Sequence, residues 1–218
     1  MQQEFWHECW QLNQIGFHSE KINPHLQKAW PVLNIAPGSR VFVPLCGKSN
    51  DMLWLLALGN EVIGVELSPL AVQAFFAENG LTETTRRQGK FSVSEADGLR
   101  IYCGDFFGLA AGDLAGVRAV FDRASLVALP PEMRAAYAEQ MQHLLKPGTK
   151  TLLVAFDYLQ DEMQGPPFSV QTPEVQSLYQ NWCDVELLYR EDILDREPGF
   201  RDKGLSRLQE HVYVLRVL

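Results

Sequence analysis

The tripeptide Gly47-Lys48-Ser49 follows the apolar run Arg40-Val41-Phe42-Val43-Pro44-Leu45, where a phosphate-binding loop would leave its strand. Such a loop wraps backbone amides around phosphates and needs a glycine five residues before Gly47, where this chain has Phe42. A dinucleotide turn fails as well, because Leu45-Cys46-Gly47-Lys48 offers one glycine where three are wanted. Glu66, 19 residues after Gly47, closes a second apolar run, Glu61-Val62-Ile63-Gly64-Val65. A carboxylate at a strand end can accept two hydrogen bonds from a ribose diol and would repel a 2′-phosphate. This turn therefore suits a ligand with a ribose and no phosphate. An exposed strand-end charge is the competing reading of Glu66; the apolar positions ahead of it favour the ligand.

Two further acids stand at the ends of apolar runs. In Gly104-Asp105-Phe106-Phe107, Asp105 can accept from an adenine amino group while a phenylalanine packs on the ring, or it can simply cap the following loop. Asp122-Arg123 ends the next run. The two side chains can satisfy one another, yet strand carboxyl ends are where ligands of open α/β sheets bind, so Arg123 is a site candidate. Metal chemistry is not indicated: His7, His18, His25, His143 and His211 show no ligand spacing, and Cys9, Cys46, Cys103 and Cys183 form no C-x-x-C pair. The cysteines read as four reduced thiols of a cytoplasmic protein.

The elements that must position these residues can be read from Arg40 onward. Apolar β-type runs alternate with helical patterns, the signature of β-α-β crossovers and a parallel sheet covered on both faces. Asn50 or Asp51 can cap the first helix and Gly59 end it; Ser68-Pro69 starts the second and Asn79-Gly80 ends it. Lys90 to Phe107 reads as a hairpin turning at Asp97-Gly98, Pro131 to Leu145 as a helix, and Lys150 to Tyr158 as a strand. Arg86-Arg87-Gln88-Gly89-Lys90 reads as a solvated loop. After a proline-rich stretch, two β runs, Val185 to Asp192 and Glu210 to Leu218, are separated too briefly for a crossover and should pair antiparallel. This order predicts the α/β fold of class I S-adenosylmethionine-dependent methyltransferases. That fold is a mostly parallel seven-stranded sheet with helices on both faces and a C-terminal antiparallel hairpin.

Length and charge narrow the partners. A chain of 218 residues is read as a single domain, residues 1–218, in which 1–36 form a helical segment ahead of the sheet. There Trp6, Cys9, Trp10 and Asn13 share a face, able to cover the site or to pack on the core. The formal charge of −8 and the lack of a basic stripe argue against nucleic acid. No apolar run reaches the roughly 18 residues of a membrane span, and the N-terminus lacks the pattern of a signal peptide. Without a heptad or apolar repeat, a monomer is expected.

Three stretches go further. Val43-Pro44-Leu45-Cys46-Gly47-Lys48-Ser49-Asn50-Asp51-Met52-Leu53-Trp54 on to Ser68, Phe5 to His18, and Val120 to Met141 closely resemble the thiopurine S-methyltransferases, in particular the bacterial members, over essentially the whole chain. The resemblance implies methyl transfer from S-adenosylmethionine to an aromatic or heterocyclic thiol, with selenium and tellurium species as further acceptors of bacterial relatives. It implies that Trp10, Leu45, Glu66 and Arg123 contact S-adenosylmethionine, that Gly47 lets the backbone pass close to it, and that Asp105 and Phe106 neighbour the adenine. Arg123 is the expected catalytic residue, favouring an anionic acceptor, while Trp10 and Phe17 close the N-terminal cover. An arginine before the last strand approaches the acceptor in mammalian members; Arg196 and Arg201 are the candidates here. An O- or N-methyltransferase of small molecules, or a non-catalytic nucleoside-binding module, would share the cofactor half.

Overall fold

The computed structural model describes residues 3–218 in two compact units, one ending at Phe121 and the other running Asp122–Leu218. Of the expected N-terminal segment 1–36, the first two residues lie outside the described ones.

In the first unit, the N-terminal segment supplies two short helices, α1 (Gln3–Gln11) and α2 (Pro24–Ala29), the second capped by Asn23, whose side chain accepts from the amides of His25 and Leu26. Asn13, expected on the face of α1, lies beyond its end at φ +53°. The strands are β1 (Arg40–Val43), β2 (Glu61–Glu66), β3 (Thr84–Gln88), β4 (Phe91–Ala96) and β5 (Leu99–Cys103), with β6 (Val117–Arg123) reaching the boundary. They lie in the order β3-β4-β5-β2-β1-β6. β1 runs parallel to β2 and β6, and β2 parallel to β5, so these four strands present their carboxyl ends along one edge. Every residue of β2 but Glu61 is buried, which is why the run shows no polar alternation.

Helices α3 (Asp51–Ala57) and α4 (Pro69–Glu78) make the crossovers. Ser68 caps α4 through its hydroxyl, with Pro69 in the first turn as read. Buried Phe75 and Phe76 of α4 each contribute roughly 1.5–3 kcal/mol by leaving water. The expected cap of α3 differs: Asn50 makes no capping bond and instead donates to the carbonyl of Glu20. Asp51 is buried and accepts from the Asn23 amide and the Ser49 hydroxyl, tying the start of α2 to the start of α3.

Among the described residues there are nine strands where seven were expected, because β3 and β4 extend the β5 edge antiparallel. Part of the run read as a solvated loop, Arg86 to Gln88, belongs to β3. Nearly every β3 side chain is exposed, so no apolar alternation marks it; backbone pairing to β4 and the Arg86–Glu95 cross-strand pair hold it.

The second unit contains α5 (Pro131–Leu144), β7 (Lys150–Asp157), α6 (Thr172–Tyr179), β8 (Cys183–Asp192), the short α7 (Pro198–Asp202) and β9 (Gln209–Val217). β9 lies between β7 and β8, antiparallel to both, which meets the expectation of an antiparallel pair. Arg134 of α5, 1% exposed, donates through Nη1 to both Glu174 carboxylate oxygens at 2.7 Å and through Nε to the Leu129 carbonyl. Among the described residues no helix is long and apolar enough to cross a membrane.

Candidate active site

Three adjacent strand ends converge in the first unit. The β1–β2 ladder continues past β1 through Cys46 N–H to the Val65 carbonyl, and the β2–β5 ladder continues through Gly104 N–H to the Glu66 carbonyl. A Cβ on Gly64 would stand 2.7 Å from the Cys46 sulfur, so a glycine inside β2 is what lets the turn after β1 fold against it. That turn holds Leu45 at φ +44° and Gly47 at φ +53°. The left-handed conformation costs a leucine roughly 1–2 kcal/mol, the kind of strain that gathers at binding sites.

Glu66 is buried, and each of its oxygens is already oriented. Oε2 accepts from Gly47 N–H at 2.8 Å and Oε1 from Ser68 N–H at 2.7 Å. A carboxylate has about four lone-pair positions, so two remain for a diol. Burial pushes the Glu66 pKa up, while the amides of Ser68, Gly47 and Leu67 pull it back. Gly47 was singled out from the sequence for the close approach of its backbone, but the hydrogen bonds from the Gly47 and Ser68 amides to Glu66 were not legible there, Ser68 being read only as a helix cap.

Helix α1 lies over these ends. The Trp10 ring packs against Gly47, where an added Cβ would approach to 3.3 Å, and Gln3 Nε2 donates to Asp105 Oδ2 at 2.9 Å. The helix therefore touches the turn after β1 and the turn after β5, on either side of Glu66. Phe17 contacts both Trp6 and Trp10 edge-to-face, with centroids 5.6 Å apart in each pair. Asp105 also caps the turn after β5 by accepting from Phe107 N–H, so the capping reading holds for one of its oxygens. Phe106 is buried, and Phe107 is the exposed member of the pair.

The features that suggested a phosphate loop are engaged elsewhere. Lys48 binds both oxygens of Glu78, at 2.6 and 2.9 Å, anchoring the turn to the end of α4. The thiols are poor nucleophiles at neutral pH: burial, with the Glu66 charge adding to it, pushes Cys46 well up and Cys103 up to about 11, and burial raises Cys183 to about 12. Among the described residues no group of three His, Cys, Asp or Glu side chains could hold a metal ion.

In the second unit, Asp122 and Arg123 do not answer the same need. Asp122 is buried and accepts from Tyr137 Oη–H at 2.8 Å and from Leu126 N–H at 3.3 Å. Burial raises its pKa to about 6, against the hydrogen bonds of Tyr137, Leu126 and Ser125 that lower it. Arg123, the last residue of β6, is half-buried. Arg196 and Arg201 each have 57% exposed side chains, paired with Glu191 and Asp195. Such exposed pairs contribute about 0–1 kcal/mol.

The pattern that defines the thiopurine S-methyltransferase family matches residues 1–217. The chain belongs to this family. A thiopurine S-methyltransferase of Nitrosospira multiformis is 53% identical over 215 residues, covering 99% of this chain and 98% of the relative. One from Pseudomonas fluorescens is 50% identical, covering 99% of each. Among solved structures, a methyltransferase of Anabaena variabilis aligns with a TM-score of 0.65 at 14% identity over 99% of this chain and 95% of that one. A Burkholderia thailandensis 1,6-didemethyltoxoflavin-N1-methyltransferase, solved with S-adenosylhomocysteine, aligns at 0.63 and 13% identity over 99% and 86%. At such identities the structures speak for the fold alone. As a member of its family the chain is an S-adenosylmethionine-dependent methyltransferase. The ribose of that co-substrate, which lacks a phosphate, suits the two acceptor positions left on Glu66.

Proposed function

We propose that the chain transfers the methyl group of S-adenosylmethionine to the sulfur of an aromatic or heterocyclic thiol of thiopurine type, with selenium and tellurium species as further acceptors. The observation that carries the reading is the match to thiopurine S-methyltransferases along nearly the whole chain. In this reading Glu66 holds the ribose, Leu45 and Gly47 form the turn under the cofactor, and Asp105 and Phe106 neighbour the adenine. Trp10 and Phe17 close the N-terminal segment, residues 1–36, over a site served by one functional domain. The loop carrying Arg196 and Arg201 borders the acceptor. The protein acts as a cytoplasmic monomer on a small molecule.

The chemistry is an in-line displacement. The acceptor sulfur forms a bond to the methyl carbon as the methyl–sulfonium bond breaks, leaving a thioether and neutral S-adenosylhomocysteine. Opposite charges vanish on the way to the transition state, and water stabilises the separated charges better than that state, so a dry pocket accelerates the step. Alignment of the two sulfurs about the methyl group supplies up to roughly 7–11 kcal/mol. Aromatic thiols ionise readily, so their proton passes to solvent without a dedicated base. Arg123, leaving the sheet at the end of β6, favours the anionic acceptor.

The test is incubation with labelled S-adenosylmethionine and a panel of thiols, selenols, phenols and amines. Methyl transfer to aromatic thiols is expected; transfer only to phenols or amines, or to none, would refute the reading.

A further inference from the structure

The residue after Arg123 adopts a conformation that nothing in the local sequence demands. Ala124 sits at φ +60°, in the left-handed region that alanine rarely enters. The chain beyond it is held from several sides. Asp122 accepts from Leu126 N–H and Tyr137 Oη–H, and the buried Ser125 donates its hydroxyl to the Arg123 carbonyl at 3.4 Å. The carbonyl of Val127 accepts from Phe168 N–H at 2.7 Å, and that of Leu129 accepts from the buried Arg134 at 2.9 Å. Residues 125–129 are thus fixed from β6, α5 and the loop after β7, and Ala124 is the joint at which the chain turns from strand into this clamp. Unusual backbone persists only where the surroundings over-determine it, and here it adjoins Arg123, the side chain given the catalytic role toward the acceptor.

We propose that Ala124, through its positive φ, and Asp122, through the clamp on Leu126, are positioning residues that aim Arg123 at the methyl acceptor. The inference rests on the role given to Arg123 above. Neither residue needs to touch a reactant. A side chain branched at Cβ disfavours the left-handed region strongly, so Ala124→Val swings the Arg123 carbonyl and side chain off their direction, whereas glycine adopts φ +60° freely.

The experiment is a double-mutant cycle on kcat/KM for an aromatic thiol. Ala124→Val is expected to lower kcat/KM at least tenfold in the otherwise wild-type chain but less than twofold in the Arg123→Ala chain, and Ala124→Gly to recover the rate. A loss of the same factor in both backgrounds, or one shared by Ala124→Gly, overturns the proposal. If Ala124→Val does not fold, Asp122→Asn is read in the same cycle with the same two outcomes. If Arg123→Ala turns over like wild type, the role of Arg123 falls and the proposal falls with it. If the wild-type chain methylates only phenols or amines, the thiol reading falls, and the cycle on that acceptor still decides the role of Ala124.

Discussion

Replacing Glu66 by glutamine probes the cofactor half without removing bulk. In the wild type, one oxygen faces Gly47 N–H and the other Ser68 N–H, each with one lone-pair position to spare. An amide has one oxygen, so in either orientation its NH2 group meets one of those backbone donors and at most one acceptor is left for the diol. A hydrogen bond to a charged group contributes about 1.5–3 kcal/mol, so losing one weakens S-adenosylhomocysteine by roughly tenfold to a hundredfold at 1.4 kcal/mol per decade. The free protein should suffer less, because the substitution also removes a buried charge whose burial is unfavourable. Titration calorimetry at pH 7.5 beside thermal melts separates the two effects. Affinity within twofold of wild type in a cooperatively folded Glu66→Gln chain would show that the ribose is not held there. Wild-type affinity should also fall on acidification, beginning above the ordinary carboxylate range, because the Glu66 pKa is raised and the protonated acid loses acceptor capacity.

Other expectations follow from single contacts. Asp122 has a folded pKa of about 6 against an ordinary aspartate value of 3.8, so the folded state binds the extra proton and this group's contribution to stability is full below pH 3.8 and lost as pH rises to about 6. Two pKa units correspond to at most about 3 kcal/mol; the stability difference between wild type and Asp122→Asn should fall across that window in denaturant titrations, and parallel curves would contradict it. Gly47→Ala should destabilise by about 1–2 kcal/mol through its φ of +53° and press on Trp10, measurable by melting and by tryptophan fluorescence. Lys48→Ala should cost under about 1 kcal/mol, since Glu78 is half exposed, and leave S-adenosylhomocysteine affinity within twofold by calorimetry.

Much of the parallel core was legible because its signals are local. The buried run of β2, the cap at Ser68-Pro69 and the stop at Gly59 each depend on a few neighbouring residues, and all three stand where the pattern put them. Strand β3 was hidden because exposed side chains on an edge strand carry no alternation, and only its pairing to β4 makes it a strand. The same division runs through the site. Glu66 could be singled out from its place after an apolar run, and the absent glycine at Phe42 excluded a phosphate cradle. Which atoms orient the carboxylate, that Lys48 is committed to Glu78, that Gln3 reaches Asp105 and that Asp122 serves Tyr137 were decided by tertiary structure. Apart from Ser68, two residues from Glu66, these partners lie 15 to 102 residues apart in the chain, and a hydrogen bond across such a span leaves no periodicity for a sequence to display.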